Sequence, residues 1–363
     1  MEVIILHQTF NDGDAIGHDI QGMYEVCNKN NIIVSVFCEY NQANPIYEVL
    51  SYKELKRKIT SKNNILIYHH SIYWKLGENI LREAKCRVII RYHNITPPEF
   101  FEDYSDKYYK ITSLGREQTK RLVREHSFYW LSDSNFNNLE IIALGMNTEK
   151  TAVVPPFHKI EYMEEVKADS NLLNNLKKST RTNVLFVGRV TTNKGHLNIC
   201  KVAKSYLELY GDNITFWIVG GFDSEIENYY KELNRFIAKW SLQENVIFTQ
   251  KVSINQLKSY FQGSDLFLCL SEHEGFCVPL IESQYNNLPI VAYDTTVISE
   301  TMGNDQLFFN HFDEDLIASA IFKVISDKSV ASYLIEKGQH NFCTRFTNEI
   351  ISEQFINVIN TFK

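Results

Sequence analysis

Short apolar runs rich in β-branched residues alternate along this chain with longer stretches of amphipathic, helix-like pattern. The runs in the first half predict strands at residues 3–6, 32–37, 65–68, 87–92, 129–133 and 152–154. Those in the second half predict strands at residues 183–188, 214–220, 245–248, 265–270, 289–293 and 306–309. Short continuous apolar strands separated by helical patterns are typical of buried parallel sheets built from βαβ units. Two sets of strands predict an α/β protein with two Rossmann-like, doubly wound domains.

The predicted join between the two domains lies at the Pro155–Pro156 pair, because two prolines cannot continue a central strand. We therefore predict an N-terminal domain over residues 1–157 and a C-terminal domain over residues 158–345. The end of the chain has a helical pattern, and we predict that its last segment, 346–363, packs back on the N-terminal domain. Asp313 is predicted to be a helix N-cap followed by acidic residues in the first turn.

Composition narrows the class of protein. A chain of 363 residues exceeds the usual size of one core, which agrees with two domains. The net charge of −7 does not favour nucleic-acid binding. Seven cysteines without metal-binding spacing are typical of a reducing, cytoplasmic compartment. The N-terminus does not resemble a signal peptide, and no apolar run is long enough to span a membrane.

The loop after the predicted strand 183–188 carries basic residues where an anion would bind. Arg189 and Lys194 follow Gly188 between a strand and a helix, and helix N-terminal amides favour negative charge. The pair suits a diphosphate, although two solvated loop charges explain the same residues. Neither a Walker loop nor a GxGxxG fingerprint is present, which removes the main support for an ATPase or a dehydrogenase.

The loop after the predicted strand 265–270 reads HEGFCVPLIE and places Glu274 and Glu282 on either side of a small turn. We expect Gly275 to allow a close backbone approach, and the amides of residues 276–278 (Phe276, Cys277 and Val278) to point at a phosphate. Pro279 is predicted to be the first helical residue, which puts Glu282 in the first turn. A first-turn acid that stabilises the helix dipole is the simpler explanation of Glu282 alone.

Together, GRVTTNKG and the E-x7-E within SEHEGFCVPLIES resemble the signature of retaining glycosyltransferases with the GT-B fold, of the family 4 type. This resemblance implies two Rossmann-like domains facing a central cleft. It also implies that Glu274 contacts the donor sugar, Glu282 the nucleotide ribose, and Arg189 and Lys194 the donor diphosphate. Cys277 departs from the glycine that the family often has there.

The N-terminal domain resembles the same family less closely. Gly13, Asp14 and Gly17 lie in a loop after the first strand and resemble the family's glycine-containing loop near the donor. His93, directly after the strand 87–92, matches the family's active-site histidine, although a structural role at the strand end also explains it. Adjacent residues His69 and His70 point to opposite sides of a strand and make a poor metal pair. We expect neither a metal nor another cofactor.

The resemblance implies a retaining hexosyltransferase of bacterial surface-polysaccharide synthesis that uses a nucleotide sugar, a UDP-sugar ahead of GDP-mannose. Its acceptor is expected to be a glycan or a lipid-linked sugar. A GT-B epimerase, a phosphorylase and a non-catalytic sugar-nucleotide-binding partner subunit remain alternatives. The basic, aromatic stretch at 107–130 fits a solvated helix face or a peripheral contact with the inner face of the membrane.

Overall fold

The computed structural model describes residues 1–43, 46–125 and 127–362. The chain divides into two compact units. Unit 1 comprises Met1–Pro98, Lys110–Lys159 and Phe346–Lys363, and unit 2 comprises Glu99–Tyr109 and Ile160–Arg345. Residues 99–109 therefore group with unit 2, whereas the sequence places them in the N-terminal domain.

Unit 1 contains a six-stranded parallel sheet and a separate two-stranded parallel ribbon. Its strands are β1 (Glu2–Leu6), β2 (Thr9–Asn11), β3 (Ile33–Phe37), β4 (Tyr40–Gln42), β5 (Ile65–His70), β6 (Arg87–Tyr92), β7 (Tyr129–Ser132) and β8 (Thr151–Val153). The sheet order is β3-β1-β5-β6-β7-β8, and β2 pairs with β4. The apolar strands are buried, and the side chains of Val3, Ile4, Ile5 and Leu6 have no exposed surface.

The first five helices of the chain are α1 (Ala15–Lys29), α2 (Tyr52–Lys58), α3 (Lys75–Glu83), α4 (Asp106–Val123) and α5 (Asn135–Ala143). Local sequence explains several of their starts. Ser51 and Glu54 form a capping box at α2, and the Asp14 carboxylate caps α1 by accepting a hydrogen bond from the Gly17 amide.

Unit 2 contains a second six-stranded parallel sheet. Its strands are β9 (Thr182–Val187), β10 (Ile214–Val219), β11 (Val246–Gln250), β12 (Leu266–Cys269), β13 (Ile290–Tyr293) and β14 (Leu307–Phe309). Their order is β11-β10-β9-β12-β13-β14. Numbered along the chain, this is the 3-2-1-4-5-6 order of the Rossmann fold, whereas the main sheet of unit 1 begins 2-1-3-4.

The remaining helices are α6 (Tyr162–Glu165), α7 (Ser170–Lys178), α8 (His196–Tyr210), α9 (Glu227–Lys239), α10 (Ile254–Gly263), α11 (Val278–Tyr285), α12 (Ile298–Met302), α13 (Glu314–Ser326), α14 (Lys328–Arg345) and α15 (Asn348–Asn360). The predicted N-cap of α13 is confirmed, because the Asp313 carboxylate accepts from the amides of Asp315 and Leu316. Helix α15 belongs to unit 1, where Ile351, Phe355 and Ile359 join its core.

Candidate active site

Lys194 and Glu274 form an ion pair at the carboxyl edge of the unit 2 sheet. Lys194 lies in the loop after β9, and Glu274 lies in the loop after β12. The Lys194 Nζ atom is 2.7 Å from Glu274 Oε1 and 2.6 Å from Oε2. Strands β9 and β12 are neighbours at the point where the strand order reverses. Ligands of doubly wound sheets bind at such a switch point.

The pair is shielded but reaches solvent. The Lys194 side chain is 24% exposed and that of Glu274 is 8% exposed. Burial disfavours the charged ammonium, but the neighbouring Glu274 carboxylate outweighs that effect and raises the pKa of Lys194. The ammonium and the carboxylate therefore compensate each other where the site meets solvent.

Asn193 holds the two loops together, a role that its sequence position does not reveal. Its side-chain Nδ2 donates to the His273 carbonyl at 2.9 Å, and its own carbonyl accepts from the Glu272 amide at 2.8 Å. Gly195 follows with φ of 68°, and a Cβ there would lie 1.8 Å from the Leu270 carbonyl oxygen. The loop after β9 can approach the end of β12 this closely because residue 195 has no side chain.

Three threonines brace the loop that begins at Glu274. Thr296 Oγ1 accepts from the Glu274 amide at 3.1 Å, and Thr301 Oγ1 donates to the Phe276 carbonyl at 2.7 Å. Thr295 Oγ1 donates to the Ser271 carbonyl at 2.7 Å. Thr295 and Thr296 could have been found from the sequence, because they closely follow the predicted strand 289–293.

The turn at residues 275–278 contains a left-handed residue that is not glycine. Cys277 has φ of 67° and precedes the first residue of α11. This left-handed conformation explains why glycine suits the position. The Cys277 and Cys269 sulfur atoms lie 3.9 Å apart, and both side chains are buried.

Glu282 lies deeper in its helix than predicted. Helix α11 begins at Val278, so Pro279 is its second residue and no acidic residue occupies the first turn. The predicted placements of Pro279 and Glu282 are therefore wrong by one residue, because the left-handed Cys277 lets the helix start earlier. Burial raises the pKa of the half-buried Glu282 carboxyl to about 7. A helix-dipole role is a weaker explanation here.

Arg189 lies in the same loop after β9 as Lys194 but is not part of the ion pair. It is exposed, and among the described residues its side chain makes no hydrogen bond or ion pair with Lys194 or Glu274. Its charge acts on Asp223. Burial opposes ionisation of that carboxyl, but its Tyr108 hydrogen bond, the Glu225 amide and Arg189 together lower its pKa.

Gly188, the residue before Arg189, is half-buried and continues the hydrogen bonding of the sheet. Its amide donates to the Val219 carbonyl at 2.9 Å. The Gly188 carbonyl oxygen would lie 2.0 Å from a Cβ at Gly220, so these two loops also approach closely.

In unit 1, His93 belongs to a buried network that we call the histidine–aspartate cluster, formed by Asp19, His69, Arg91, His93 and Asp133. His93 Nδ1 lies 2.8 Å from Asp133 Oδ2, and His93 Nε2 lies 2.8 Å from His69 Nδ1. A carboxylate only accepts, so Nδ1 of His93 carries the proton. Both ring nitrogens therefore have protein partners in the ligand-free structure.

Arg91 joins the two carboxylates of the cluster. Its Nε donates to Asp19 Oδ2 at 2.8 Å, and its Nη2 lies 2.8 Å from Asp133 Oδ1. Burial lowers the pKa of Arg91, but the Asp133 and Asp19 carboxylates outweigh this and raise it. Burial also lowers the pKa of His69 well below its ordinary value, so its ring is neutral. Sequence reasoning missed Asp19 and Asp133, which lie far from His93 along the chain.

The amides of the glycine-containing loop near the N-terminus donate to side chains of the same loop. The Gly13 amide donates to Asn11 Oδ1 at 3.0 Å, and the Gly17 amide donates to the Asp14 carboxylate at 2.7 Å. A Cβ at Gly17 would lie 1.7 Å from the Asn11 carbonyl oxygen. The absence of a side chain at Gly17 thus has a local structural reason.

Among the described residues, one group has the spacing of a metal site: ligand atoms of Asp19, His69 and His93 lie within 4.8 Å of one another. His69 does not act with His70, whose Nε2 instead lies 2.9 Å from Thr119 Oγ1. The sequence analysis considered His69 together with His70, whereas the structure groups His69 with Asp19 and His93.

The basic stretch at 107–130 is largely neutralised by neighbouring acids. Four of its cations form ion pairs: Lys107 with Glu225, Arg116 with Glu140, Lys120 with Glu117, and Arg121 with Glu78. Within the described part of this stretch, which leaves out His126, Lys110 and Arg124 have no ion pair. No helix of the described residues has the length and apolar character needed to cross a membrane.

Comparison with known proteins identifies the second half of the chain most clearly. Residues 169–341 match the family model described as glycosyl transferases group 1. The O-antigen chain mannosyltransferase RfbU of Salmonella typhimurium is 30% identical over 126 residues, covering 35% of this chain and 34% of that protein. The capsular polysaccharide biosynthesis glycosyltransferase CapM of Staphylococcus aureus is 26% identical over 179 residues, covering 49% and 45% respectively. The chain thus matches less than half the length of each relative.

Solved structures resemble the chain over nearly its full length. Anabaena Alr3699/HepE in complex with UDP and glucose has a TM-score of 0.79 at 15% identity, covering 99% of this chain and 100% of that one. WaaG, a glycosyltransferase involved in lipopolysaccharide biosynthesis, has a TM-score of 0.71 at 13% identity, covering 98% and 99%. These likenesses confirm the predicted GT-B fold and the resemblance to GT-B glycosyltransferases.

Proposed function

We propose that this chain, which has the GT-B fold and a segment matched by the group 1 glycosyl transferases, is a retaining glycosyltransferase of bacterial surface-polysaccharide synthesis. It moves a sugar from a nucleotide-diphosphate donor to a glycan or lipid-linked acceptor. The observation that carries the proposal is the Lys194–Glu274 ion pair at the switch point of the unit 2 sheet. It lies inside the matched segment and offers one cation and one acceptor of hydrogen bonds.

The proposed roles follow from charge. Lys194 and Arg189 meet the negative charge that develops on the departing diphosphate, an electrostatic use of preorganised cations. The amides of residues 276–278 add donors for a phosphate, and the Glu274 carboxylate accepts from sugar hydroxyls. Glu282 accepts from the ribose. The departing phosphate takes the acceptor proton, so no protein base and no metal or other cofactor is assigned to the transfer.

The role of His93 is proposed from its position in unit 1. It lies at the carboxyl end of β6, where a doubly wound sheet binds ligands. Asp133 and His69 occupy both ring nitrogens of His93. Contact between this ring and a donor sugar therefore requires that His69 Nδ1 releases the Nε2 atom of His93.

A UDP-sugar is the proposed donor, ahead of GDP-mannose. The structural neighbour HepE is described in complex with UDP-glucose as well as with UDP and glucose. GDP-mannose stays second because a GDP-mannose:cellobiosyl-diphosphopolyprenol alpha-mannosyltransferase of Xanthomonas oryzae is 29% identical over 110 residues, covering 30% of this chain and 28% of that protein.

We place the enzyme in the cytoplasm, with a peripheral membrane contact through Lys110 and Arg124 as a further proposal.

The proposal is tested with the full chain in two steps. A thermal-shift screen of UDP-, GDP- and dTDP-sugars finds the donor, since a ligand that binds only the folded state raises the melting temperature. Transfer to a lipid-linked acceptor is then measured for Lys194→Ala and Glu274→Ala. We expect kcat/KM to fall by about 100-fold or more in each, as for lost transition-state electrostatics.

Lys231→Ala is the matched control, because Lys231 forms an exposed ion pair with Glu227 on α9 in the same unit. It should transfer at the wild-type rate. Equal rates in Lys194→Ala, Glu274→Ala and wild type would contradict the site. Donor turnover without an acceptor to a rearranged nucleotide sugar would indicate an epimerase. Donor binding without any turnover would indicate a non-catalytic subunit.

A further inference from the structure

The histidine–aspartate cluster gathers three metal-ligating side chains from separate parts of the chain. Asp19 lies on α1, His69 near the end of β5, and His93 directly after β6. Asp19 Oδ2 is 3.8 Å from His69 Nδ1 and 3.9 Å from His93 Nε2, and the two imidazole nitrogens are 2.8 Å apart. In four-coordinate zinc sites with bonds of about 2.1 Å, ligand atoms lie roughly 3.4 Å apart. The observed separations span that value.

The cluster also places two carboxylates around one permanent cation. Within the described residues, Arg91 is the permanent cation ion-paired with Asp19 and Asp133, so two carboxylates share one guanidinium. The Arg91, Asp19 and His69 side chains have no exposed surface. A buried carboxylate needs a partner, and a bound cation would give the second carboxylate of this cluster a partner of its own.

The surroundings support His93 and Asp19 as metal sites require, whereas the second ring nitrogen of His69, Nε2, is buried without a hydrogen-bond partner among the described residues. Metal-binding histidines usually donate their second nitrogen to a carboxylate, and His93 Nδ1 donates to Asp133 at 2.8 Å. Asp19 is oriented by Arg91 through Oδ2 and by the Phe157 amide, which donates to Oδ1 at 2.9 Å. A carboxylate oxygen has two lone pairs, so Oδ2 of Asp19 retains one that is not used by Arg91.

We propose that Asp19, His69 and His93 bind one divalent transition-metal ion of the zinc class, with water as a further ligand. Two imidazoles and one carboxylate suit Zn²⁺ or Co²⁺ better than Mg²⁺ or Ca²⁺, which prefer all-oxygen ligands. His93 is the ligand whose side chain reaches solvent, at 8% exposure, so the ion enters from its side. The ion and the proposed donor sugar would share His93 Nε2, so metal binding is measured in the absence of donor.

The test titrates Co²⁺ into the full-length protein after removal of metals with EDTA, and follows ligand-field absorption. Zn²⁺ then competes, and bound metal per chain is measured by mass spectrometry. We expect one equivalent and a spectrum of nitrogen and oxygen ligands. His69→Gln and His93→Gln should each weaken Co²⁺ binding more than 100-fold, and Asp133→Asn about 10- to 100-fold, as for an outer-shell partner.

His70→Gln is the matched control, because His70 is a buried neighbour whose ring bonds Thr119 outside the cluster. It should bind Co²⁺ like wild type, and thermal unfolding without metal checks that each variant is folded. If the wild-type protein does not bind one equivalent of Co²⁺ or Zn²⁺, the proposal is overturned whatever the variants do. A sulfur-to-cobalt charge-transfer band, or equal binding in His69→Gln and His93→Gln, also overturns it.

Discussion

At the scale of single residues, Glu282 is the side chain whose environment departs most from its sequence expectation. It lies in the second turn of α11, half-buried, and no hydrogen bond to its carboxylate is found among the described residues. Burial therefore raises its pKa from the ordinary 4.5 to about 7. A ribose hydroxyl would supply the donor that the ligand-free protein lacks.

Glu282→Gln is expected to stabilise the protein and to weaken nucleotide binding. Between pH 4.5 and about 7 the folded state binds more protons at this position than the unfolded state. Stability contributed by this group is therefore lost as pH rises through that window. At pH 8 the variant should be more stable by about 1–3 kcal/mol, with little difference at pH 4.

Denaturant unfolding at both pH values, and calorimetric titration with the donor found in the screen, measure these effects. Wild-type affinity should increase from pH 6 to pH 8, because the carboxylate is the form that accepts from the ribose. Glu353→Gln on α15 is the control, since Glu353 is exposed. A wild-type protein as stable at pH 8 as the variant would show that burial does not raise the pKa of Glu282.

At the scale of elements, the two helices that follow the site strands both begin after a left-handed residue. Gly195 with φ of 68° precedes α8, and Cys277 with φ of 67° precedes α11. At Gly195 the Leu270 carbonyl excludes any side chain, whereas Cys277 accommodates its thiol beside Cys269. The same backbone conformation is thus enforced by contact in one loop and tolerated in the other.

Cys277→Gly is expected to be more stable than Cys277→Ala by about 1 kcal/mol, because only glycine adopts this backbone without strain. Both variants lose the thiol, so the comparison isolates the backbone term. Arg235, an exposed residue in the middle of α9, provides the control pair, where Ala should be about 1 kcal/mol more stable than Gly. Urea unfolding gives both differences, and the same sign at the two positions would contradict the strain.

The strands also show which elements can be predicted from the sequence. All twelve predicted strands are present, because a buried parallel strand needs a continuous apolar run that is visible locally. Strands β2 and β4 were not predicted, since Thr9–Asn11 and Tyr40–Gln42 are short and mostly polar. Their pairing depends on residues that are far apart along the chain.

At the scale of the whole molecule, unit 1 is completed by a helix from the end of the chain. The Phe355 ring of α15 has no exposed surface and lies 5.9 Å from the Phe157 ring in an edge-to-face arrangement. Ile351 and Ile359 on the same helix are equally buried. The apolar face of α15 is therefore part of the unit 1 core.

Phe355→Ala is expected to destabilise unit 1 by about 3–5 kcal/mol, the usual cost of emptying a buried aromatic site. Hydrogen exchange should show faster exchange in β1 and β3, whose residues share this core. Asn357→Ala, an exposed change on the same helix, should leave exchange unaltered. Unchanged exchange in Phe355→Ala would mean that α15 contributes little to the stability of unit 1.

Sequence alone determined the two sets of strands, several helix caps and the positions of Arg189, Lys194, Glu274 and Glu282 after strands, because periodicity, caps and motifs are local. The tertiary structure decided which of these residues meet. Lys194 pairs with Glu274 because β9 and β12, distant in sequence, are neighbours in the sheet, whereas the charge of Arg189 helps to lower the pKa of Asp223. Likewise, Asp19, His69 and His93 converge because β5 and β6 are neighbours in the sheet and Arg91 on β6 bonds Asp19 on α1. Strand order depends on long-range packing, which no local pattern encodes.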